Sequence, residues 1–513
     1  MTMISRVLGL VRDVVFAHTI GAGGSADAFF LAFKIPNFLR RLFAEGAFAQ
    51  AFVPVLNEYH EKGGISAVKG LIDRVSASLG SVLLVVTALV VLFAPQIASL
   101  LAYGFEFRGS PQKAELTGQL LQITFPYLFF ISMAGMLGGI LNSFDRFAIP
   151  AFTPVLLNIC LIAAAIVGVN YFEEPEMALA WGVFVAGAAQ MLFQIPFLMK
   201  MHLMPRPRWD WRHPGVKKIL LLMAPAIFGV SVSQVNLLLD QVLAAFMRDG
   251  AVGWLYFSDR LYELPLGVFG VAIATVILPS LSRQHTAGGG ARFEATLGWA
   301  IRSVLYIAVP AMVALFMLAE PLMITLFQSG KFDGEEIQLA AMSLRAYSVG
   351  LIAFMLIKVL APGYFARQDM KTPVRIAIIA MVVNMVFNVV FAVPLEFYLG
   401  DGGKGHVGLA LATSLSAILN AGLLYRGLRK DGVYKPQPGR GRFAITLLVA
   451  NLLMAAALFG FNQWFTDWAS WQWWERGYRI LIVCGGGLAV YVAALMAGGV
   501  RLRHLRGDGL KGA

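Results

Sequence analysis

Long apolar runs alternate along the chain with short connections that hold most of the basic residues. A transmembrane helix needs about 20 consecutive, mainly apolar residues, and runs of this length recur through the whole chain. The runs predict spans near residues 3–20, 27–57, 69–101, 116–141, 150–170, 177–199, 217–247, 252–281, 297–327, 337–365, 373–394, 406–426, 443–465 and 479–500. The pattern therefore predicts an all-α polytopic membrane protein with about 14 transmembrane helices.

The amino-acid composition also indicates a membrane protein. Of the 513 residues, 58% are hydrophobic and 14% are charged, and the mean hydropathy is +0.72. Soluble domains have about 45–50% apolar and about 25% charged residues. The net charge of +12 does not indicate a nucleic-acid partner, because the basic residues lie in short connections between apolar runs, where they encode membrane orientation.

The connections between the runs are of two alternating kinds. The basic ones are residues 200–218, 283–302, 367–375 and 426–442, together with the C-terminal tail at 501–513. Those poor in Lys and Arg are residues 173–176, 248–250, 331–336 and the tryptophan-rich 464–474. Because basic loops stay on the cytoplasmic side, the alternation predicts a multi-pass protein with both termini in the cytoplasm. The tryptophans are typical of interfacial anchors.

A faint internal repeat divides the chain. The segment around Pro54 resembles the segment around Pro279, 225 residues later, and the segment around Pro150 resembles that around Pro373, 223 residues later. Two similar offsets predict two six-helix lobes of the same topology, with the substrate between them. The predicted divisions are an N-terminal lobe at 1–200, a C-terminal lobe at 217–426, two additional helices at 443–500 and a basic cytoplasmic tail at 501–513.

Ionisable residues are concentrated in a few of the predicted spans. The first lobe holds Arg6, Arg12, Asp27, Lys34, Arg40, Arg41 and Glu45, and the eighth span holds Asp259, Arg260 and Glu263. An ionisable side chain at membrane depth is costly unless it faces a partner or a wet cavity. One interpretation is a network of buried ion pairs. The other is a central cationic cavity, because basic residues outnumber acids in the first lobe. Arginine binds phosphate oxygens bidentately, so such a cavity predicts an anionic headgroup, most naturally a phosphate or pyrophosphate.

A second polar set lies in the seventh, eleventh and twelfth predicted spans, and it consists of Asp240, Asn384, Asn388 and Thr413. One carboxylate with amide and hydroxyl oxygens suits a hard cation, so these residues are a candidate sodium or proton site. A patch of interhelical hydrogen bonds explains them equally well. The residues alone leave both interpretations open.

Several motifs resemble those of a known family. The N-terminal ones are Ser5-Arg6-x-x-Gly9-x-x-Arg12-Asp13 and Asp27-Ala-Phe-Phe…Pro36-Asn37-x-x-Arg40-Arg41-x-Phe-Ala-Glu45-Gly-Ala-Phe…Phe-Val-Pro54. The later ones are Asp259-Arg260-x-x-Glu263-x-Pro265, Phe327-Gln-Ser-Gly-Lys331-Phe and Lys358-Val-Leu-Ala-Pro-Gly-Tyr-Phe-Ala-Arg367-Gln-Asp369-x-Lys371-Thr-Pro373. Over essentially its whole length, the chain closely resembles the MurJ/MviN lipid II flippases of the multidrug/oligosaccharidyl-lipid/polysaccharide exporter superfamily.

The resemblance implies a flippase with two lobes around a central cationic cavity. Such a protein moves lipid II (undecaprenyl-pyrophosphate disaccharide-pentapeptide) from the inner to the outer leaflet of the bacterial cytoplasmic membrane by alternating access, for cell-wall synthesis. The two additional helices at 443–500 are then expected to form a groove for the undecaprenyl tail. The expected partners are lipid II and membrane lipids, and we expect a monomer with no cofactor, driven by Na+, H+ or the membrane potential.

The resemblance also implies roles for individual residues. Those that correspond by position to the cavity arginines of the family are Arg6, Arg12, Arg40 and Arg260. Those that match acidic residues of the same region are Asp27 and Asp259, with Glu45 and Glu263 as neighbouring candidates and Lys34 and Arg41 in the same cluster. Some members carry a sodium site that resembles Asp240, Asn388 and Thr413, with Asn384 on the same face.

Other functions fit the sequence less well. Another exporter of the same superfamily, a drug antiporter or a polysaccharide-repeat flippase, is the first alternative, but an exporter of amphipathic cations should have an acidic, aromatic cavity. An enzyme acting on polyprenyl phosphates would need clustered aspartates in cytoplasmic loops to hold magnesium, and these loops are basic. A scaffold without transport activity would have little reason to carry buried charges. We therefore expect a transporter and no enzymatic activity.

Overall fold

The computed structural model describes residues 2–42, 48–287, 289–398, 403–435 and 440–500. Two features named above, Glu45 and the basic tail at 501–513, lie outside the described residues. The chain forms two compact units, residues 1–253 and 254–513. Both units are helical, and the only β pairing within the described ranges is an isolated bridge between Ser329 and Phe332.

The first unit contains ten helices within the described residues. They are α1 (Thr2–Thr19), α2 (Ala26–Leu39), α3 (Ala49–Leu92), α4 (Ala94–Leu101), α5 (Tyr103–Phe107), α6 (Pro111–Thr124), α7 (Tyr127–Ser143), α8 (Ala148–Ile166), α9 (Pro175–Lys200) and α10 (Pro214–Ala244). The α1 helix packs on α8, α2 packs on α6, and α3 packs on α7 and α10. The α10 helix, assigned above to the second lobe, clusters with the first unit; the six-helix lobe boundaries stay a prediction.

The second unit follows the boundary at residue 253, which α11 crosses. Its helices are α11 (Ala251–Pro265), α12 (Val271–Thr286), α13 (Gly290–Met317), α14 (Ala319–Phe327), α15 (Gly334–Phe365), α16 (Lys371–Phe387), α17 (Val393–Phe397), α18 (Gly405–Lys430), α19 (Arg440–Trp464) and α20 (Trp473–Ala497). Here α15 packs between α13 and α18, and α19 packs on α20 and α13.

Eleven helices or helix runs among the described residues are long and apolar enough to cross a membrane. This confirms the predicted all-α membrane fold but does not confirm the count of about 14 spans. Among the described residues, the helices α1, α2 and α10, which correspond to the first, second and seventh predicted spans, are not among these eleven. The α1 helix carries Arg6, Arg12 and Asp13, and α2 has only 14 residues, fewer than the about 20 that a crossing needs.

The α3 helix is longer than the sequence predicts. The predicted second span ends at residue 57 and the third begins at residue 69, whereas α3 covers Ala49–Leu92 as two helical segments that meet at Gly64, between the two predicted spans. In the connection between these spans, Glu58 and Lys62 form an ion pair one turn apart, at 2.8 Å, which favours a solvated helix. Gly64 has φ of 61° and marks a kink, a conformation that glycine adopts without steric cost.

Two predicted spans are interrupted at proline. The predicted span 116–141 is split at Pro126, between α6 and α7. The predicted span 252–281 changes to a π-helix at Leu266–Gly270, directly after Pro265. Proline lacks the N–H that would continue the hydrogen-bond ladder, so the helix breaks or widens at that point.

The internal repeat has a counterpart in the backbone. Asp145 and Gln368 are both left-handed, with φ of 59° and 61°, and each lies five residues before one of the matched prolines, Pro150 and Pro373. In both turns the next residue donates its N–H to the carbonyl five positions earlier, at 2.9 Å after Asp145 and 3.1 Å after Gln368. The α7 and α15 helices therefore end in the same type of cap, which supports the repeat.

The basic connection before α10 is attached to α3. The buried carboxylate of Asp73 accepts the N–H of Arg206 at 2.7 Å, and the carbonyl of Asp73 accepts the N–H of Arg208 at 2.9 Å. At the start of α10, Nδ1 of His213 accepts the N–H of Gly215 at 3.2 Å. Burial lowers the pKa of His213, which keeps the ring neutral and Nδ1 available as an acceptor.

Candidate functional site

Arg12 lies in a buried polar cluster of the first unit. Its Nε and Nη2 donate to Asp13 at 2.9 and 2.7 Å, and its Nη1 donates to Oδ1 of Asn158 at 3.1 Å. Asn158 donates in turn to the carbonyl of Ser5 at 2.9 Å, so the cluster joins α1 to α8. The Arg12 and Asp13 side chains are 9% and 3% exposed. The sequence suggested cations without an obvious partner, but the charge of Arg12 is balanced within the protein.

Asp27 holds the turn between α10 and α11. It is 1% exposed, and its two carboxylate oxygens accept the N–H groups of Gly250 and Gly253, each at 2.8 Å. Lys113 of α6 lies 3.9 Å from this carboxylate and also pairs with Asp249. A carboxylate at the first N–H groups of a helix satisfies donors that lack an intrahelical acceptor. Asp27, a candidate substrate-binding residue, therefore caps α11.

Gly253 leaves no room for a side chain, since a Cβ there would lie 2.0 Å from the carbonyl oxygen of Ala22. We expect Gly253→Ala to lower the free energy of unfolding by about 3 kcal/mol, because the backbone must move and the hydrogen bonds to Asp27 loosen with it. The thermal unfolding midpoint in detergent micelles measures the effect. Gly460→Ala is the matched control, because a Cβ at that α19 position meets nothing within 4 Å. Equal losses in the two variants would contradict the expectation.

The other candidate cations of the first unit are less deeply placed. They are Arg6, Lys34, Arg40 and Arg41, and all four are half-buried. Arg40 donates from Nε to Oδ1 of Asn37 at 3.3 Å. Arg6 and Arg41 form no ion pair with any residue that the structure describes. Partly exposed guanidinium groups on helices of a membrane protein can contact a polar ligand.

The second unit contributes Asp259, Arg260 and Glu263 on α11, which are all half-buried. Arg260 pairs with Glu263 at 3.2 Å, and the two side chains are 27% and 38% exposed. The guanidinium carbon of Arg260 lies 4.8 Å from the ring centroid of Tyr256. Stacking occupies a face of the guanidinium, while its Nη1 edge donates to Glu263. Arg260 is therefore oriented, yet more accessible than Arg12.

The members of the candidate cation site are all buried, with exposures of 6% for Asp240, 0% for Asn384, 1% for Asn388 and 8% for Thr413. Asn384 lies in the last turn of α16, and Asn388 begins the π-helix that follows it. Thr413 lies in α18, which packs against both segments, and its hydroxyl donates to the carbonyl of Leu409 at 3.0 Å. Asp240 belongs to the first unit. Within the described ranges, no group of three His, Cys, Asp or Glu residues is placed to hold a metal ion.

An apolar groove of about 490 Å³ lies inside the second unit, between α13, α15, α18 and α19. Its lining residues include Ile301, Leu305, Val349, Ile352, Leu356 and Ile418, with Arg302, Tyr425 and Tyr434 as polar members. Of the residues 443–500, Phe443 borders the groove. Sequence reasoning missed the walls from α13, α15 and α18, because their apolar residues follow the same pattern as any lipid-facing helix surface.

Long apolar helices in two units, charged residues buried in α1 and α2 and half-buried in α11, and an apolar groove are the features of a polytopic membrane transporter. The family model of the lipid II flippase MurJ matches residues 16–476, and the chain belongs to this family. Membership makes the protein a transporter of the inner membrane rather than an enzyme, as the sequence predicts.

Relatives match over nearly the whole chain. The probable lipid II flippase MurJ of Vibrio cholerae is 50% identical over 99% of this chain and 96% of its own length. The lipid II flippase MurJ of Burkholderia cenocepacia is 43% identical over 89% of this chain and 87% of its own length. A solved structure of lipid II flippase MurJ in an inward closed conformation matches with a TM-score of 0.79 at 27% identity, covering 96% of each chain. An inward-facing MATE transporter of the MOP superfamily shares the fold, with a TM-score of 0.67 at 16% identity, over 84% of this chain and 96% of its own.

Proposed function

We propose that the protein translocates lipid II from the inner to the outer leaflet of the cytoplasmic membrane by alternating access, for cell-wall synthesis. Membership of the MurJ family carries this proposal, and the cationic residues on α1, α2 and α11 supply a physical reason for it. Moving a pyrophosphate-linked headgroup through hydrocarbon unaided is prohibitive, because each isolated charge is strongly disfavoured there. Arginine side chains can replace water around the headgroup while the polyprenyl tail stays in the lipid.

We assign the arginines two different tasks. Arg6, Arg40, Arg41 and Arg260 are half-buried, so they contact the pyrophosphate oxygens in this proposal. Arg12 is buried and hydrogen-bonded within its unit, so it fixes α1 against α8 and supports the neighbouring Arg6. Headgroup binding can shift the balance between inward and outward states only through different affinities for the two states.

The orientation follows from the basic connections. We place both termini in the cytoplasm, because the basic connections 200–218, 283–302, 367–375 and 426–442 share one side of the predicted topology. The tryptophan-rich connection at 464–474 then faces the outer side.

The chain is expected to work as a monomer.

We propose that the apolar groove of the second unit accepts part of the undecaprenyl tail. The groove has a volume of about 490 Å³ and is lined mainly by aliphatic side chains, and a polyprenyl chain offers no polar group to satisfy. Phe443 places α19 at its edge, in agreement with the groove that the family resemblance implies for residues 443–500.

The sodium or proton site remains a proposal, and the donor chemistry supports it. Asp240 supplies a carboxylate, Asn384 and Asn388 supply amides, and all three are buried. Thr413, which is also buried, adds a hydroxyl oxygen. Hard cations prefer this set of oxygen ligands. When bound, such an ion would couple its gradient to the change between the two states.

Asp240→Asn is expected to remove most of the ion dependence of transport, because the site loses its only negative charge. We expect the response of the lipid II translocation rate to a Na+ or H+ gradient to fall about tenfold or more in proteoliposomes. Asp145→Asn, at an exposed turn, is the control and should respond as the wild type does. An unchanged ion response in Asp240→Asn would remove this site from the account.

Ligand binding separates the proposed function from a drug antiporter of the same fold. The purified protein should bind lipid II and should bind cationic dyes weakly, because the candidate residues carry more positive than negative charge. Equilibrium binding in detergent micelles compares the two ligands directly. Preference for the dyes would refute the flippase assignment.

A further inference from the structure

Aromatic rings and two arginines cluster where α19 passes into α20. The rings of Phe465, Trp468 and Trp471 contact one another, with centroids 5.2 to 6.3 Å apart. Trp464 and Trp473 are 84% and 77% exposed. Exposed tryptophans at this position are typical interfacial anchors, but anchoring does not explain the arginines that accompany them.

Arg479 is held by stacking alone. Its guanidinium carbon lies 3.7 Å from the ring centroid of Trp471 and 5.4 Å from that of Tyr478. It forms no hydrogen bond or ion pair with any residue of the described part of the chain, and its Nη1 is buried without an acceptor. The aromatic contact uses a face of the guanidinium, whereas oxyanions bind at its edge. Arg479 is thus a cation fixed in orientation whose charge is unbalanced.

Arg476, one turn earlier, positions the aromatic platform. Its Nη2 donates to the carbonyl of Ala469 at 2.7 Å, and its Nη1 donates to the carbonyl of Ile324 at 3.4 Å. These bonds tie the 3-10 turn Trp468–Ser470 to α20 and to α14. The turn carries the chain directly into Trp471, the ring on which Arg479 stacks.

No carboxylate of the described residues neutralises Arg476 or Arg479. The nearest acids along the chain are Asp467 and Glu475, and neither forms an ion pair with Arg476 or Arg479 among the described residues. Glu475 instead accepts the N–H of Gln472 in a capping box at the start of α20. Two positive charges about one helical turn apart therefore stand beside an aromatic surface at the membrane interface.

We propose that Arg479 binds the diphosphate of lipid II at the outer membrane surface, as an exit site on α20, with Arg476 as a positioning residue. Two uncompensated charges match a multiply charged diphosphate better than the single charge of a phospholipid phosphodiester. This inference rests on the proposed function and on the orientation that places residues 464–474 outside.

The test uses undecaprenyl diphosphate as the probe and the full-length protein in phosphatidylcholine nanodiscs. Tryptophan fluorescence reports binding, because Trp471 lies against Arg479. We expect Arg479→Gln to weaken the fluorescence-detected binding about tenfold or more, and Arg479→Lys to weaken it less, because lysine keeps the charge but loses the bidentate edge. Trp471→Leu should weaken binding too, because Arg479 loses the ring that orients it. This variant also lacks the fluorescent reporter, so its affinity is measured by competition between labelled and unlabelled probe. Binding to a simple surface charge would not depend on Trp471. Lys331→Gln, which removes an exposed cation in another base-poor connection, should leave this binding unchanged.

Two results would overturn the inference. One is wild-type affinity in Arg479→Gln, and the other is complete displacement of the probe by an equal concentration of phosphatidylglycerol, which would make the site a phospholipid site. The proposed function is tested separately by wild-type lipid II translocation in proteoliposomes. If the wild type translocates lipid II while Arg479→Gln binds the probe normally, only the exit site is lost; if the wild type does not translocate, the function itself fails.

Discussion

Arg260→Ala is expected to reduce lipid II translocation about 100-fold or more while leaving the protein folded. Truncating one partner of a desolvated charge contact costs about 2–5 kcal/mol, and each 1.4 kcal/mol is about tenfold. The fold should survive because the Arg260 and Glu263 side chains are 27% and 38% exposed, and such partly solvated pairs contribute at most about 1 kcal/mol. Initial translocation rates of the reconstituted protein, together with its thermal unfolding midpoint, measure both effects.

Two further variants make this result specific. Arg260→Lys keeps the charge but loses the planar fork, so an intermediate rate is expected. Arg283→Ala removes an exposed arginine from α12 and should translocate as the wild type does. If Arg260→Ala retained the wild-type rate, the contact between this guanidinium and the pyrophosphate would have to be abandoned.

Arg12→Ala is expected to lose transport for a different reason. The change leaves the 3% exposed Asp13 side chain without its cation and Asn158 without the donor at 3.1 Å. Removing one partner of a buried ion pair costs about 3–5 kcal/mol. We therefore expect a large drop in the thermal unfolding midpoint, and with it the loss of translocation, whereas Arg260→Ala should lose translocation alone.

The double variant Arg12→Ala/Asp13→Asn distinguishes a stranded charge from a missing contact. Because the carboxylate is neutralised, most of the lost stability should return, while α1 still lacks the link from Arg12 to Asn158. A double variant as unstable as Arg12→Ala would show that the Asp13 charge is not the source of the loss.

Apolar run length was sufficient to predict the membrane fold, but it placed several boundaries wrongly. The second predicted span ended at residue 57, whereas the helix continues through the Glu58–Lys62 pair to the kink at Gly64. Pro126 was visible in the sequence as a candidate kink, but proline often occurs within transmembrane helices without ending them, so the place of the break could not be predicted. The repeat was recognised from prolines 223 residues apart, and the matching φ values of Asp145 and Gln368 support it.

The candidate site was predictable as a set of residues but not as a set of contacts. The motifs located Arg12 and Asp27, whereas their partners Asn158 and Gly250 lie 146 and 223 residues further along the chain. No local pattern connects residues so far apart. The requirement for glycine at position 253 likewise depends on the approach of a distant backbone carbonyl, which only the folded chain reveals.

The partners of Arg12 and Asp27 change the account of how a headgroup would be held. A cavity lined only by unpaired cations would be unfavourable when empty, because each charge would lack compensation. The buried residues instead satisfy one another, and Arg6, Arg40, Arg41 and Arg260 remain half-buried. The protein thus has buried charged residues that are paired within the protein and half-buried arginines that can contact the anionic ligand.

The central claim is that this protein moves lipid II across a bilayer by binding its diphosphate to arginine side chains. The most direct measurement is the accessibility of lipid II headgroups to a membrane-impermeant reagent in proteoliposomes, with and without an ion gradient or a membrane potential. The account predicts that wild-type protein brings headgroups from the inner to the outer leaflet and that Arg260→Ala does not. Headgroup accessibility no greater than in liposomes without protein, under every gradient applied, would contradict it.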